Sequence, residues 1–170
     1  MTKKADTDGK ILVMGVGNYL MGDEGVGVHA AERLQKEILP GVDVVDGGTG
    51  GFHLLEYFEI YRQIILVDAT LDDYPTGTIR LIRPKFAADF PQAMSTHDIG
   101  LKDLVSAIQL LDHHPDIRLF VVSIESIQQQ GIELTPEIES IMPGLLEIIR
   151  TELLRLQHEK ARVYQASVSE

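Results

Sequence analysis

The sequence predicts an α/β three-layer sandwich: a five-stranded, mostly parallel, twisted sheet with an antiparallel edge strand and helices on both faces. Three observations predict it. Apolar runs of strand length, such as ILVM at 11–14 and IILV at 64–67, alternate with stretches of helical periodicity. The run at 11–14 and the short strand expected at 42–46 lead into glycine turns, GVGN at 15–18 and DGGTGG at 46–51. The 170 residues are 44% hydrophobic, enough for one domain with a core and too few for two comfortable ones. One domain over 1–170 is therefore expected, with an ordered core from about 10 to 157.

Residues 1–9 read as a lead-in, and the first strand covers about 10–16. A helix is expected from 24 or 25 to 38, since Val26, Ala30, Leu34 and Ile38 recur four apart, and Pro40-Gly41 stops it. A second strand, 42–46, ends in the glycine run. Residues 52–61 read as a helix with Leu54, Leu55 and Phe58 on one side. The third strand, 63–69, carries Asp68 near its end. Residues 72–77 are too few for a crossover helix, so 78–82 is expected as an antiparallel edge strand. An irregular surface loop is expected at 84–94. Ser95-Thr96-His97-Asp98 then leads a third helix, with Leu101, Leu104, Val105, Ile108 and Leu111 as its stripe. The fifth strand is 117–123. Thr135-Pro136-Glu137 is a helix start: a hydroxyl cap, a first-turn proline, then an acid. The last helix should bury Ile138, Ile141, Met142, Leu145, Leu146, Ile149, Leu153 and Leu156. Pro143-Gly144 should kink it, and the tail after about His158 should fray.

Composition narrows the chemistry. Cysteine is absent, so any metal must be held by carboxylate or imidazole. A formal net charge of −11 argues against nucleic acid or an anionic membrane as partner. No run approaches a membrane span, and MTKKADTDGK lacks the apolar core of a signal peptide, so a cytoplasmic protein is expected.

Asp23 and Glu24 follow the first glycine turn, where many related folds bind phosphate. A dinucleotide fingerprint would need a third glycine at position 20, where Leu20 stands, and the acid pair would repel a pyrophosphate. A phospho-receiver site is also disfavoured: the acid pair comes late, and the fifth strand supplies no lysine. The reading that remains is a metal-centred site of Glu24, Asp68 and His97. His97 precedes a helix, whose positive end disfavours protonation and keeps the imidazole able to ligate. Two carboxylates and one imidazole suit a borderline ion such as nickel or zinc, with coordination positions left open. Taken singly, each residue reads as readily as a capping acid or a surface histidine; their joint placement at one sheet edge is the signal. As edge-loop residues they are expected to matter little for core burial. The glycine run reads either as a passive connector or as a loop that lets a ligand approach its backbone.

GVGNYLMGDEGVG, VVDGGTGG, LVDA, STHDIGL and GIELTPEIE occur in that order from about residue 11 to the last helix. Together they resemble the hydrogenase maturation endopeptidases, which process the large subunit of nickel–iron hydrogenases. The resemblance implies an aspartic-type endopeptidase that removes a C-terminal extension once nickel is installed, with the nickel-loaded precursor as partner. It implies nickel ligation by Glu24, Asp68 and His97, and a part for Asp46 in substrate handling or catalysis. Gly47, Gly48, Thr49 and Gly50 would form the substrate loop. Three ligands leave the shell open, so the nickel would arrive on the substrate, with none tightly bound to the free enzyme. Either the nickel or a carboxylate such as Asp46 or Asp68 would activate water; the sequence leaves that choice open. The family often has Pro-Glu-Ser after the fifth strand where this chain has Ile124-Glu125-Ser126, which leaves the role of Glu125 open. A monomer is expected. The alternative is a non-catalytic nickel-binding maturation chaperone of the same fold.

Overall fold

A computed structural model describes residues 9–85, 89, 106, 114–126 and 130–168. Strands β1 (Ile11–Gly15), β2 (Val42–Asp46), β3 (Gln63–Thr70), β4 (Ile79–Ile82) and β5 (Asp116–Ser123) form one sheet in the order β2-β1-β3-β5-β4. All pairings are parallel except β4 with β5. The mostly parallel sheet with an antiparallel edge strand is the architecture the sequence predicts. β1, β3 and β5 lie inside the sheet and are covered on both faces, which is why they read as near-continuous apolar runs. The two edge strands, VDVVD and IRLI, carry charge. β4 is antiparallel because the short connection from β3 crosses the end of β5 and turns back: Gly77 N–H donates to Ser123 O at 2.8 Å, and Ser123 N–H to Thr78 O at 2.9 Å.

Helices α1 (Val26–Leu34), α2 (Leu55–Ile60) and α3 (Pro136–Val168) complete the layers. On face one, Ile11, Val13, Ile65, Val67, Phe120 and Val122 pack beneath Val26, Ala30 and Leu34 of α1 and beneath Ile138, Met142, Leu145 and Ile149 of α3. On face two, Leu12, Met14, Ile64, Leu66, Leu119 and Val121 pack against Leu54, Phe58 and Tyr61. A buried Leu or Phe contributes about 1.5–3 kcal/mol, so these two clusters are the main source of stability. Arg118 breaks the apolar register of face one. Its guanidinium is satisfied by Glu152 of α3, Nε to Oε1 at 2.8 Å, and this buried pair fixes α3 along β5.

Three expected boundaries differ. The helix expected to run from 24 or 25 to 38 is a 3₁₀ turn, Gly22–Gly25, followed by α1, which ends at Leu34. Turn hydrogen bonds then tighten the chain (Glu37 N–H to Leu34 O, 3.0 Å), so Leu39 packs on the core and Ile38 is 95% exposed. Residues 52–61 divide into a 3₁₀ turn, Phe52–Leu54, and the short α2. α3 continues to Val168 instead of fraying after about His158, and Pro143 lies within it. Ile141 is only partly buried; the other seven residues expected inside are buried. The expected loop from residue 86 onward and the helix headed by His97 lie outside the described residues, apart from Asp89 and Ser106. Among the described residues no helix is long and apolar enough to cross a membrane.

α1 can approach the sheet because Gly27 has no side chain: a methyl group there would lie 2.2 Å from Val67 O and 2.3 Å from Val16 O, both backbone atoms. Gly27→Ala should therefore cost about 3 kcal/mol, at the upper end for overpacking against atoms that cannot yield. Gly144, on the exposed side of α3, has nothing within 4 Å of such a methyl, so Gly144→Ala should stabilise by about 1 kcal/mol through helix propensity. Urea unfolding midpoints measure both, and shifts of the same sign would contradict the packing of α1.

Candidate active site

The ends of β1, β2 and β3 are bound into one corner by backbone hydrogen bonds. Val16 N–H donates to Val67 O, Gly47 N–H to Gly15 O and Gly17 N–H to Gly48 O, each at 2.8 Å. These bonds extend the parallel ladders past the last strand residues, so the first turn and the glycine run are a single backbone surface. Gly17 is required twice, by its φ of 145° and because a methyl there would lie 2.0 Å from Glu24 O. That contact seats the 3₁₀ turn on the strand ends.

The turn delivers Glu24 to the corner, where it is buried at 3% exposure. Asp68, on β3, is at 0%. Asp68 Oδ1 accepts the Ala69 N–H at 2.8 Å, while Oδ2 is buried with no hydrogen-bond partner among the described residues. Burial pushes the Asp68 carboxyl well above its ordinary value of 3.8; the Ala69 hydrogen bond opposes the shift, and the negative charge of Glu24 adds to it. The structure thus brings two of the three expected ligands into electrostatic contact. The third, His97, lies outside the described residues, and among those described no group of three His, Asp or Glu is assembled. Asp23 points elsewhere: Oδ1 accepts the Thr135 N–H at 2.7 Å, and Oδ2 accepts the Thr135 hydroxyl at 2.8 Å. Glu125 is exposed beyond the end of β5.

Asp46 has different surroundings. It is exposed at the end of β2, and its Oδ1 accepts the Gly48 N–H at 2.7 Å, which orders the start of the glycine loop. Gly15 is the register partner of both Asp46 and Val67, so β1 stands between β2 and β3. Two strand spacings put those strands about 10 Å apart. The alternation of side chains sends Asp68 to face two, after Ile64 and Leu66, and Asp46 to face one, after Val42 and Val44. Asp46 and Asp68 are not a proton-sharing dyad. They serve two sides of one corner.

The sequence reading misses Thr70 and Ser123. They are register partners at the ends of β3 and β5, both buried, and neither hydroxyl has a hydrogen-bond partner among the described residues. Period-two alternation puts both on the face of Asp68, a signal available by counting two residues on from Asp68. Buried polar atoms without partners are scarce in folded proteins, and three on one sheet edge, among the described residues, single that edge out as a candidate site.

Known proteins resemble the chain over most of its length. The chain matches the family model described as hydrogenase maturation protease over residues 28–152. It is 35% identical over 148 residues to the hydrogenase 2 maturation protease of Escherichia coli K12, covering 85% of this chain and 90% of that protein. It is 32% identical over 146 residues to the hydrogenase expression/formation protein HupD of Rhizobium leguminosarum, covering 81% of this chain and 71% of that protein. The solved hydrogenase maturating endopeptidase HybD from E. coli superposes with a TM-score of 0.77 at 33% identity, over 86% of this chain and 93% of that one.

The burial of Asp68 departs from the expectation that these edge-loop residues matter little for core burial. Because its carboxyl is raised above 3.8, the folded state holds the proton more tightly than the unfolded chain does. Its contribution to stability is fully present below the unfolded value and is lost as pH rises through the folded one. Asp68→Asn, which keeps an oxygen for the Ala69 N–H and carries no charge, should unfold at a higher urea concentration than the parent at pH 7. The difference should vanish as the pH falls below 3.8. A variant less stable than the parent at pH 7 would contradict the sealed environment of Asp68.

Proposed function

The chain belongs to the hydrogenase maturation protease family and is a peptidase, and we propose that it removes the C-terminal extension from the large-subunit precursor of a nickel–iron hydrogenase after nickel insertion. The observation that carries the reading is the buried pair Glu24 and Asp68, with one Asp68 oxygen unpartnered among the described residues, beside a glycine loop at the same strand ends. Two carboxylates with His97 make a hard-to-borderline donor set that suits nickel and leaves positions vacant for the substrate's own ligands. On this reading the metal arrives as part of the substrate, and recognition works as a check: without nickel nothing bridges enzyme and precursor, and the bond is not cut. The free enzyme holds no metal tightly. It acts as a monomer in the cytoplasm, and the net charge of −11 speaks against a nucleic-acid partner.

Roles divide along the corner. Asp68, shut off from solvent, is the ligand. Asp46, exposed at the loop mouth, is the carboxylate placed to take a proton from the attacking water, which makes the enzyme aspartic-type. Nickel carried by the substrate would be held by Glu24, Asp68 and His97 and would supply Lewis acidity there. Gly47, Gly48, Thr49 and Gly50 form the loop along which the extended tail would run, and at Gly48 a side-chain methyl would meet nothing within 4 Å among the described residues.

Single-turnover cleavage of nickel-loaded precursor, followed by mass spectrometry of the released fragment, tests the assignment. Glu24→Gln and His97→Ala should each slow cleavage by about a hundredfold or more, with the protein still folded. Gly48→Ala combined with Gly50→Ala should cost about 1 kcal/mol of stability per residue, since both have positive φ, and should reduce cleavage by well over tenfold. Normal cleavage by Glu24→Gln and His97→Ala would refute the metal site. A loss in the glycine variant no larger than its unfolded fraction would refute the substrate loop.

A further inference from the structure

Glu24 sits on a single 3₁₀ turn between two glycines, Gly22 and Gly25, and that turn has little rigidity of its own. Its internal bonds are a 3.3 Å contact from Glu24 N–H to Met21 O and one from Val26 N–H to Asp23 O. Besides its seat on Gly17, what fixes it lies more than a hundred residues away in sequence. Gly22 N–H donates to Gly131 O at 2.7 Å, and Gly131 N–H to Leu20 O at 2.8 Å. His29 of α1 donates from Nε2 to Ile132 O at 2.8 Å. The buried carboxylate of Asp23 closes the set with two short bonds from Thr135, one from its N–H and one from its hydroxyl. Adjacent side chains on a 3₁₀ turn are about 120° apart. Holding Asp23 against Thr135, the cap of α3, therefore sets the rotation of the whole turn and with it the side from which Glu24 leaves it.

We infer that Asp23 and Thr135 are positioning residues, a clamp that aims the Glu24 carboxylate at the site. The inference rests on the metal-site reading of Glu24. Asp23 thus has a different task from its acidic neighbour: it acts through the orientation of Glu24. Thr135 has two tasks, since its hydroxyl also lies 3.4 Å from the Ile138 N–H as the cap of α3. The start of the last helix and the metal-facing acid are therefore set by one side chain.

Asp23→Ala removes a buried charge together with its partners' acceptor and could simply unfold the protein, so the informative variant is Thr135→Val. It keeps the backbone bond to Asp23 and removes only the hydroxyl, with Thr135→Ser as the restoring change. The readouts are cadmium affinity of the free protein by calorimetry and the KM for nickel-loaded precursor, each with and without Glu24→Gln, alongside urea curves. The expected result is a cadmium affinity about tenfold weaker and a raised KM in Thr135→Val. Thr135→Ser should be close to the parent, and Thr135→Val should have no further effect once Glu24→Gln is present. Unchanged cadmium affinity and KM in Thr135→Val, or an equal loss with and without Glu24→Gln, would overturn the clamp, because the contact would then be merely structural. If Glu24→Gln alone changes neither cadmium binding nor cleavage, the metal-site reading itself fails and the clamp falls with it.

Discussion

Backbone-to-backbone contact between the start of α1 and the ends of β1 and β3 is the constraint on which the rest of the structure depends. It is possible only because glycine stands on both sides: a methyl on Gly15 would lie 1.9 Å from Gly27 O, and one on Gly27 is blocked in turn by Val16 and Val67 carbonyls. With helix and strands this close, the chain between them has to fold back on itself at the strand ends. The 3₁₀ turn, Gly22–Gly25, is that fold. It lands on Gly17, buries Glu24 and leaves Asp68 sealed beneath. A looser approach would admit water between the carboxylates and relieve the strain of keeping two acids together.

That strain is what the site has to offer a ligand. Burying a carboxylate without full hydrogen bonding costs free energy, and the protein does it at Asp68 while placing Glu24 near enough to raise the cost. On the function proposed above, a cation brought by the substrate would relieve both costs at once, and selectivity for the loaded precursor would follow from electrostatics, without a cage of ligands able to hold free metal tightly. Asp46, at the end of β2 on the other side of β1, is spared this tension and remains open to solvent, where the proposed function would bring a peptide tail and a water molecule together.

Much of this was legible in the sequence because period and punctuation carry it. Continuous apolar runs marked the inner strands, the short segment after Asp68 marked the antiparallel edge, and Thr135-Pro136-Glu137 marked the start of α3. Asp68 and Glu24 could be placed at the same edge from their positions after strand and turn. Local pattern did not reveal where tertiary contacts prevail. The four-residue stripe through Val26, Ala30 and Leu34 continues to Ile38 on paper, yet the helix ends first because Leu39 fits the core better. The two acids of the DEG motif read as a pair, whereas only a contact with Thr135, far along the chain, separates their tasks. Thr70 and Ser123 look like ordinary strand-end hydroxyls until register places them beside each other on the face of Asp68.

The central claim is that Glu24 and Asp68 complete the coordination of a nickel ion held by the substrate. X-ray absorption at the nickel edge of a loaded precursor with an uncleavable terminal extension measures this directly, before and after addition of the enzyme. Formation of the complex should add oxygen or nitrogen donors at about 2.0–2.2 Å to the nickel shell, and the addition should be lost with Glu24→Gln. A nickel shell unchanged by stoichiometric enzyme, with the complex shown to have formed, would contradict the account.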